Sequence, residues 1–377
     1  MVSTRTLSRR SFLQGLAASA AMLALQTPYS TAFAGSPPLH KRQLLMGVTP
    51  GHMGAYDLDS RVLRTAKTGF SVHSVIQNPK NRRQIVAIDK WARGLAVLDL
   101  DTMQVEQRLP AENHHMYYGH GFFAADGSVF FITRVDLRTG HGHFVGFNSK
   151  TYKLVEDYQV TIGGLHECHL IDANTAIVAS SGLRSMYGPP QAGKRVEPSG
   201  LVWVNVNNGK ILQKLLVEDD DQIVGHFGRS SEGAILALSG PRIGAKAKAG
   251  KIYYSKDGGE ALRPITFSEE QEKALVGEML SVAFRSKGAV AAITNPLGRQ
   301  VIVLNVPDTK VDWILNREES REEHGIVYDK VLRKFVLAGA EIAVLNEAER
   351  RLIALPTISK SDPIKIDLGS TAHSLIV

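Results

Sequence analysis

The chain of 377 residues carries one cysteine, Cys168, so no internal disulfide can form and stability has to come from packing or from closure of the chain. An excess of charge of one sign is also missing. The net charge is +7, and Arg5, Arg9 and Arg10 supply three of those charges with no acid among the first 35 residues. The rest of the basic excess is spread evenly. Aromatic residues make up only 7% and do not interleave with basic ones, which argues against nucleic acid as a partner. No Gly-x-Gly-x-x-Gly or P-loop follows a strand and opens a helix, so no nucleotide is expected. No Gly-x-Ser-x-Gly elbow is present, and no Cys-x-x-Cys-His attaches a haem.

What is there begins with an export signal. Ser8-Arg9-Arg10-Ser11-Phe12-Leu13 precedes an uncharged apolar run over residues 15–25, and Ala32-Phe33-Ala34 offers small residues before Gly35. A positive start, a short apolar stretch and an Ala-x-Ala site make a signal peptide, too short to be a good membrane span. The paired arginines resemble a twin-arginine (Tat) signal. The expectation is a Tat signal over 1–34, cleavage near Ala34/Gly35, a linker over 35–42, and a periplasmic protein that spans no membrane.

Beyond the leader, 34 glycines and 15 prolines punctuate short apolar runs. A marked position returns at His73, His120, His169, His226, Glu278, His324 and His373, with spacings of 47, 49, 57, 52, 46 and 49 residues. Four β-runs follow each of the first six, separated by turns such as Asp126-Gly127 and Asp257-Gly258-Gly259. A period of roughly 50 residues with four strands is the pattern of β-propeller blades. After His373 only one strand remains, and the segment after residue 43 supplies the three missing ones. The chain therefore reads as all-β: a seven-bladed β-propeller of four antiparallel strands per blade over 43–377. Its ring is closed by N-terminal strands that complete the C-terminal blade.

The inner strand of each blade lines the axis, so the marked histidines would gather at one mouth of the channel. Candidate metal ligands are His73, His120, His166, His169, His226, Glu278, His324 and His373, with His52, His114, His115, His141, His143 and Glu167 at the rim. Neutral imidazole suits Zn, Cu and Fe, so the cofactor expected is a transition metal of unassigned identity. In His166-Glu167-Cys168-His169 the strand alternation turns Glu167 and His169 inward and Cys168 into the blade. The same histidines could instead brace the blades by hydrogen bonds to backbone, and the spacing leaves both readings open. A long connection over 181–199 lies on the same face.

Tyr118-Gly119-His120-Gly121, Asp126-Gly127, Thr139-Gly140-His141-Gly142 and Gly163-Gly164-Leu165-His166-Glu167, with the Arg9-Arg10 leader and His373, resemble a domain-of-unknown-function family. Its members are Tat-exported periplasmic seven-bladed propellers encoded beside imelysin-type iron-uptake proteins. The resemblance is best over 118–169 and weakens after Ser180. It implies a role in periplasmic iron handling and carries no established activity. Three functions follow as expectations. One is a metal-binding propeller accessory to iron handling. Another is a non-catalytic scaffold that docks an iron-uptake or redox partner on the 181–199 face. The third is an oxidoreductase or hydrolase centred in the channel, disfavoured because no inward cluster of Asp and Asn accompanies the histidines.

Overall fold

The computed structural model describes residues 42–48, 51–161, 163–182, 197–242, 248–259, 261–316, 323–339, 341–356, 358–359 and 375–377. The leader, its cleavage site, His373 and residues 183–196 of the long connection lie outside them. No helix among the described residues is long and apolar enough to cross a membrane.

Seven sheets surround one axis, each with strand order A-B-C-D from the inside outward. Blade 1 is Ser74–Gln77, Gln84–Ile88, Leu95–Asp99 and Gln104–Arg108. Blade 2 is His115–Phe123, Val129–Asp136, Gly142–Asn148 and Leu154–Thr161. Blade 3 is Leu165–Leu170, Thr175–Ser180, Gly200–Asn205 and Ile211–Leu216. Blade 4 is Gln222–Arg229, Ile235–Pro241, Ile252–Ser255 and Arg263–Pro264. Blade 5 is Val282–Phe284, Val290–Asn295, Gln300–Asn305 and Lys310–Asn316. Blade 6 is Glu323–Asp329, Lys334–Gly339, Ile342–Asn346 and Arg351–Ala354. Blade 7 takes its A strand, Leu375–Ile376, from one end of the chain and its B, C and D strands, Gln43–Val48, His52–Asp57 and Val62–Lys67, from the other.

The two-residue period of a strand explains why the core divides as it does. In blade 1, Ile85, Ala87, Ala96 and Leu98 pack against blade 7, while Val86, Ile88, Leu95 and Val97 pack against blade 2. The same split repeats at every blade, so the core consists of apolar layers between neighbouring blades. Each fully buried Val, Leu or Ile contributes about 1.5–3 kcal/mol. B and C strands are therefore apolar on both faces. Blade 1's D strand, Gln104–Arg108, is mostly exposed and polar.

Closure is direct. Leu44 pairs with Ile376 and Leu45 with Leu375, and the Gln43 and Val377 main chains exchange hydrogen bonds of 3.1 and 3.0 Å. Arg42 then reaches the buried Asp329 of blade 6 at 2.7 Å. This stands where a disulfide could not.

Three local features depart from the sequence reading. The outer strand of blade 4 is only Arg263–Pro264, because proline has no N–H to give the ladder. The chain then turns into a short helix, Glu269–Ala274, started by a capping box between Ser268 and Gln271. In blade 1 the B-to-C connection forms a three-residue strap, Lys90–Ala92, that pairs with Tyr117 and Tyr118 of blade 2.

Candidate metal centre

The inner strands are not regular where the histidines stand. In blade 2 Gly121 pairs with Ile132 and Tyr117 with Arg134, so Tyr118, Gly119 and His120 share one partner, Thr133. The Thr133 hydroxyl accepts from the His120 N–H at 3.3 Å and donates to its carbonyl at 3.0 Å. In blade 3 His166 and Glu167 stand opposite the single residue Ala179, in blade 4 Gly225 is the extra residue, and in blade 6 His324. A bulge re-aims the side chains beside it, and here bulges in four blades turn polar groups toward the axis.

The glycine that precedes His120 acquires a reason. Gly119 has φ +98°, and a Cβ there would lie 2.4 Å from Cδ2 of His73. At Gly225, before His226, a Cβ would lie 3.4 Å from Cδ2 of His166, an ordinary contact. The Gly119-His120 pair thus presents its own ring and clears space for the His73 ring of the preceding blade.

Four imidazoles converge as a result. His120 lies 4.5 Å from His166 and 5.0 Å from His73, centroid to centroid. His73 and His166 stack at 5.3 Å. His226 lies 4.6 Å from His166 and 5.9 Å from His120. One ligand nitrogen from each of His73, His120 and His166 falls within 4.8 Å of the others, and all three residues are buried. Those three could hold a metal ion. A metal about 2.0–2.1 Å from each nitrogen requires separations of roughly 3 Å, closer than the 4.8 Å within which these nitrogens lie.

The hydrogen bonds fix one tautomer. Nδ1 of His166 is 2.9 Å from the Tyr118 carbonyl. A carbonyl only accepts, so Nδ1 carries the proton and Nε2 holds a lone pair. That lone pair accepts from the Lys90 ammonium at 2.9 Å. Burial pushes the Lys90 pKa down to about 8, with the charge of Glu278 opposing. Burial, then Lys90 and the rings of His120, His226 and His73, hold the His166 pKa far below its usual value, so this ring is neutral. Beside it, Glu167 accepts from the Phe227 N–H at 3.0 Å and lies 3.3 Å from His226 Nδ1. Its other oxygen is 3.0 Å from His169 Nε2.

The remaining candidates are more dispersed. His169 is 42% exposed, lies against Phe227 at 4.6 Å, and lines an axial cavity of about 570 Å³ together with His120 and Glu167. Cys168 is buried in the layer between blades 2 and 3, as the alternation required. Glu278 precedes the blade 5 A strand, its carbonyl held by Asn295 at 2.8 Å. The His324 carbonyl accepts from Thr294 at 2.9 Å. His143 binds Asp157 at 2.8 Å, and Asp157 also binds Arg134 at 2.6 Å. His115, in the same blade, has a lowered pKa from burial and then from Arg134. His114 is exposed and His141 half-buried in blade 2 connections, and His52 opens the blade 7 C strand.

The residue that sequence reasoning missed is Lys90. A lysine in a connection bears no periodic mark, and only the pairing of strap 90–92 with blade 2 brings it to the axis. The preceding residue is unusual too: burial raises the Asp89 pKa to about 6 against hydrogen bonds from the Lys90 and Gly94 N–H groups.

Comparison with solved structures finds hydrazine synthase of Kuenenia stuttgartiensis, at TM-score 0.58 and 9% identity over 81% of this chain and 90% of that one. At that identity the likeness is one of fold. No curated protein sequence matches. A family model described as "Protein of unknown function (DUF1513)" matches residues 68–350, a span that holds blades 1 to 5 and most of blade 6. The chain belongs to that family.

Proposed function

We propose that this family member is an exported periplasmic protein that binds a transition-metal ion through His73, His120 and His166, with His226 as a further donor, and serves iron handling. The observation that supports this reading is the tautomer of His166. Its Nδ1–H is held by a backbone carbonyl, as in metal-bound histidines, which leaves Nε2 with a lone pair that a metal could take in place of the Lys90 ammonium. A donor set of neutral imidazoles suits Fe(II), Zn(II) or Cu(II) and excludes hard ions such as Ca²⁺. The iron context and Tat export rest on the family resemblance and the Arg9-Arg10 leader. The 181–199 connection is the surface on which an iron-uptake or redox partner would dock.

Elemental analysis of protein purified from the periplasm, followed by titration with Fe(II) and Zn(II), tests the reading. Bound metal in wild type and its loss in His120→Ala and His166→Ala are expected. Metal-free protein that takes up neither ion refutes it.

A second reading is favoured by Lys90. Its ammonium already satisfies His166 and ties the blade 1 strap to blade 3, so the cluster could be a brace within a non-catalytic scaffold. Lys90→Met separates the two. In a metal site it raises metal affinity by removing a competing cation. In a brace it only lowers the melting temperature.

A further inference from the structure

The channel has a second end, and its chemistry is opposite. A cavity of about 460 Å³ opens there and shares His169, Val282, Phe284 and Tyr328 with the axial cavity that reaches His120. Its rim is built by the A-to-B turns of blades 4, 5 and 6. These turns contribute Arg229, Arg285, Lys287 and Lys330, and no carboxylate is among the lining residues. Arg285 is ion-paired with Glu347, which fixes it in place. Arg229, Lys287 and Lys330 make no ion pair among the described residues.

Lys287 stands on one of these turns. It has φ +68° and ψ 7° inside the three-residue turn Ser286–Gly288, a left-handed conformation that costs a residue with a side chain about 1 kcal/mol or more. The turn is also pressed against blade 4, since a Cβ on Gly288 would lie 2.6 Å from the Cβ of Ser230. Glycine would suit position 287 better as backbone. Nine other non-glycine residues among those described share a positive φ, Arg333 in the equivalent turn of blade 6 among them, so this is turn geometry, and it sets the Lys287 cation at the cavity rim.

We propose that this end of the channel binds a small organic polycarboxylate. Beside the paired Arg285, the three cations Arg229, Lys287 and Lys330 from three successive blades line the cavity with no ion pair among the described residues, so the ligand carries more than one negative charge. Guanidinium groups pair with carboxylates in a planar, two-pronged fashion. Val282, Phe284 and Tyr328 give the cavity an apolar wall that bare inorganic phosphate would leave unused, whereas a carbon skeleton covers it. The volume lies within the roughly 300–1,000 Å³ of small-molecule sites. This inference does not depend on the metal reading, because none of its cations touches the histidine cluster.

Calorimetric titration tests it, using full-length protein treated with chelator so that metal plays no part. Propane-1,2,3-tricarboxylate and inorganic phosphate are compared at constant ionic strength near 0.15 M. Saturable binding of the tricarboxylate is expected, at least about 10-fold tighter than phosphate, weakened about 10-fold or more by Arg229→Ala, and unchanged by His143→Gln at the blade 2 rim. Lys287→Gly guards against misfolding. It relieves the left-handed strain, so the protein is expected to melt no lower while binding falls by a similar factor. Absence of saturable binding, or equal affinity for phosphate and tricarboxylate, overturns the proposal. Unchanged affinity in both Arg229→Ala and Lys287→Gly does so as well.

Discussion

The two ends of the channel are made from the same inner strands and could hardly differ more. At the histidine end the rings are buried, His166 is held neutral, and bulges set where they point. At the far end the groups are permanent cations on tight turns, left in reach of water. The difference follows from the cost of burying charge. Imidazole can give up its proton and remain in a dry site, whereas guanidinium cannot. Lys90 is the exception that shows the rule, since it lies among the rings and its pKa falls to about 8.

The largest effect expected from breaking this arrangement comes from Gly119→Ala. A methyl group 2.4 Å from His73 at φ +98° should cost about 3 kcal/mol or more, read by chemical denaturation. Gly225→Ala, with 3.4 Å of clearance from His166, should cost about 1 kcal/mol or less. Equal costs would mean that Gly119 does not make room for the His73 ring.

Next is His166→Ala, expected to weaken Zn(II) or Fe(II) binding by at least about 100-fold, since even the outer partners of a metal ligand are worth roughly 10–100-fold. Lys90→Met should move affinity the other way by about 10-fold. Both are read by competition with a chelating dye.

The pH dependence sharpens the contrast between adjacent groups. The folded pKa of His166 is depressed. Below about 6.5, the usual histidine value, the unfolded chain takes up a proton that the folded chain refuses. Stability should therefore fall with acid through that window, and His166→Gln should flatten the fall. Asp89 acts oppositely. Its folded pKa is raised to about 6, so its contribution is fully present below about 4 and is lost as pH rises through 6. Asp89→Asn should remove that loss. Denaturation curves at pH 4 to 8 read both slopes. The smallest effect should come from His143→Gln at the blade 2 rim. Metal binding should be unchanged and stability should shift by about 0.5 kcal/mol or less.

The architecture was readable because a propeller repeats itself. Spacing gave the seven blades, and the leftover strand after His373 gave the closure that Leu44 and Ile376 make. The alternation of Glu167, Cys168 and His169 was readable for the same reason, as strand period is a local property. What a bulge does is not local in this sense. It slips the phase of the strand, so in blade 3 His166 joins the cluster, while His169, also a candidate ligand, lines the channel cavities. The helix at 269–274 carried a legible capping box in Ser268-Glu269-Glu270-Gln271, masked by the expectation of a fourth strand. Lys90 had no signal of its own, because its position depends on pairing between blades.

The closure also constrains how the molecule is assembled. The pair Leu44 and Ile376 joins positions near opposite ends of the chain, so most of the sequence must be made and placed before that contact can form. Contacts of such long range bear the highest loop-closure entropy and are expected to form late. Until then the strand Gln43–Val48 presents an open edge, of the kind that recruits other chains. Shortening the segment that ends at Val377 would leave every other blade interface intact and expose this one edge, so its first symptom should be aggregation during folding, before any loss of melting temperature.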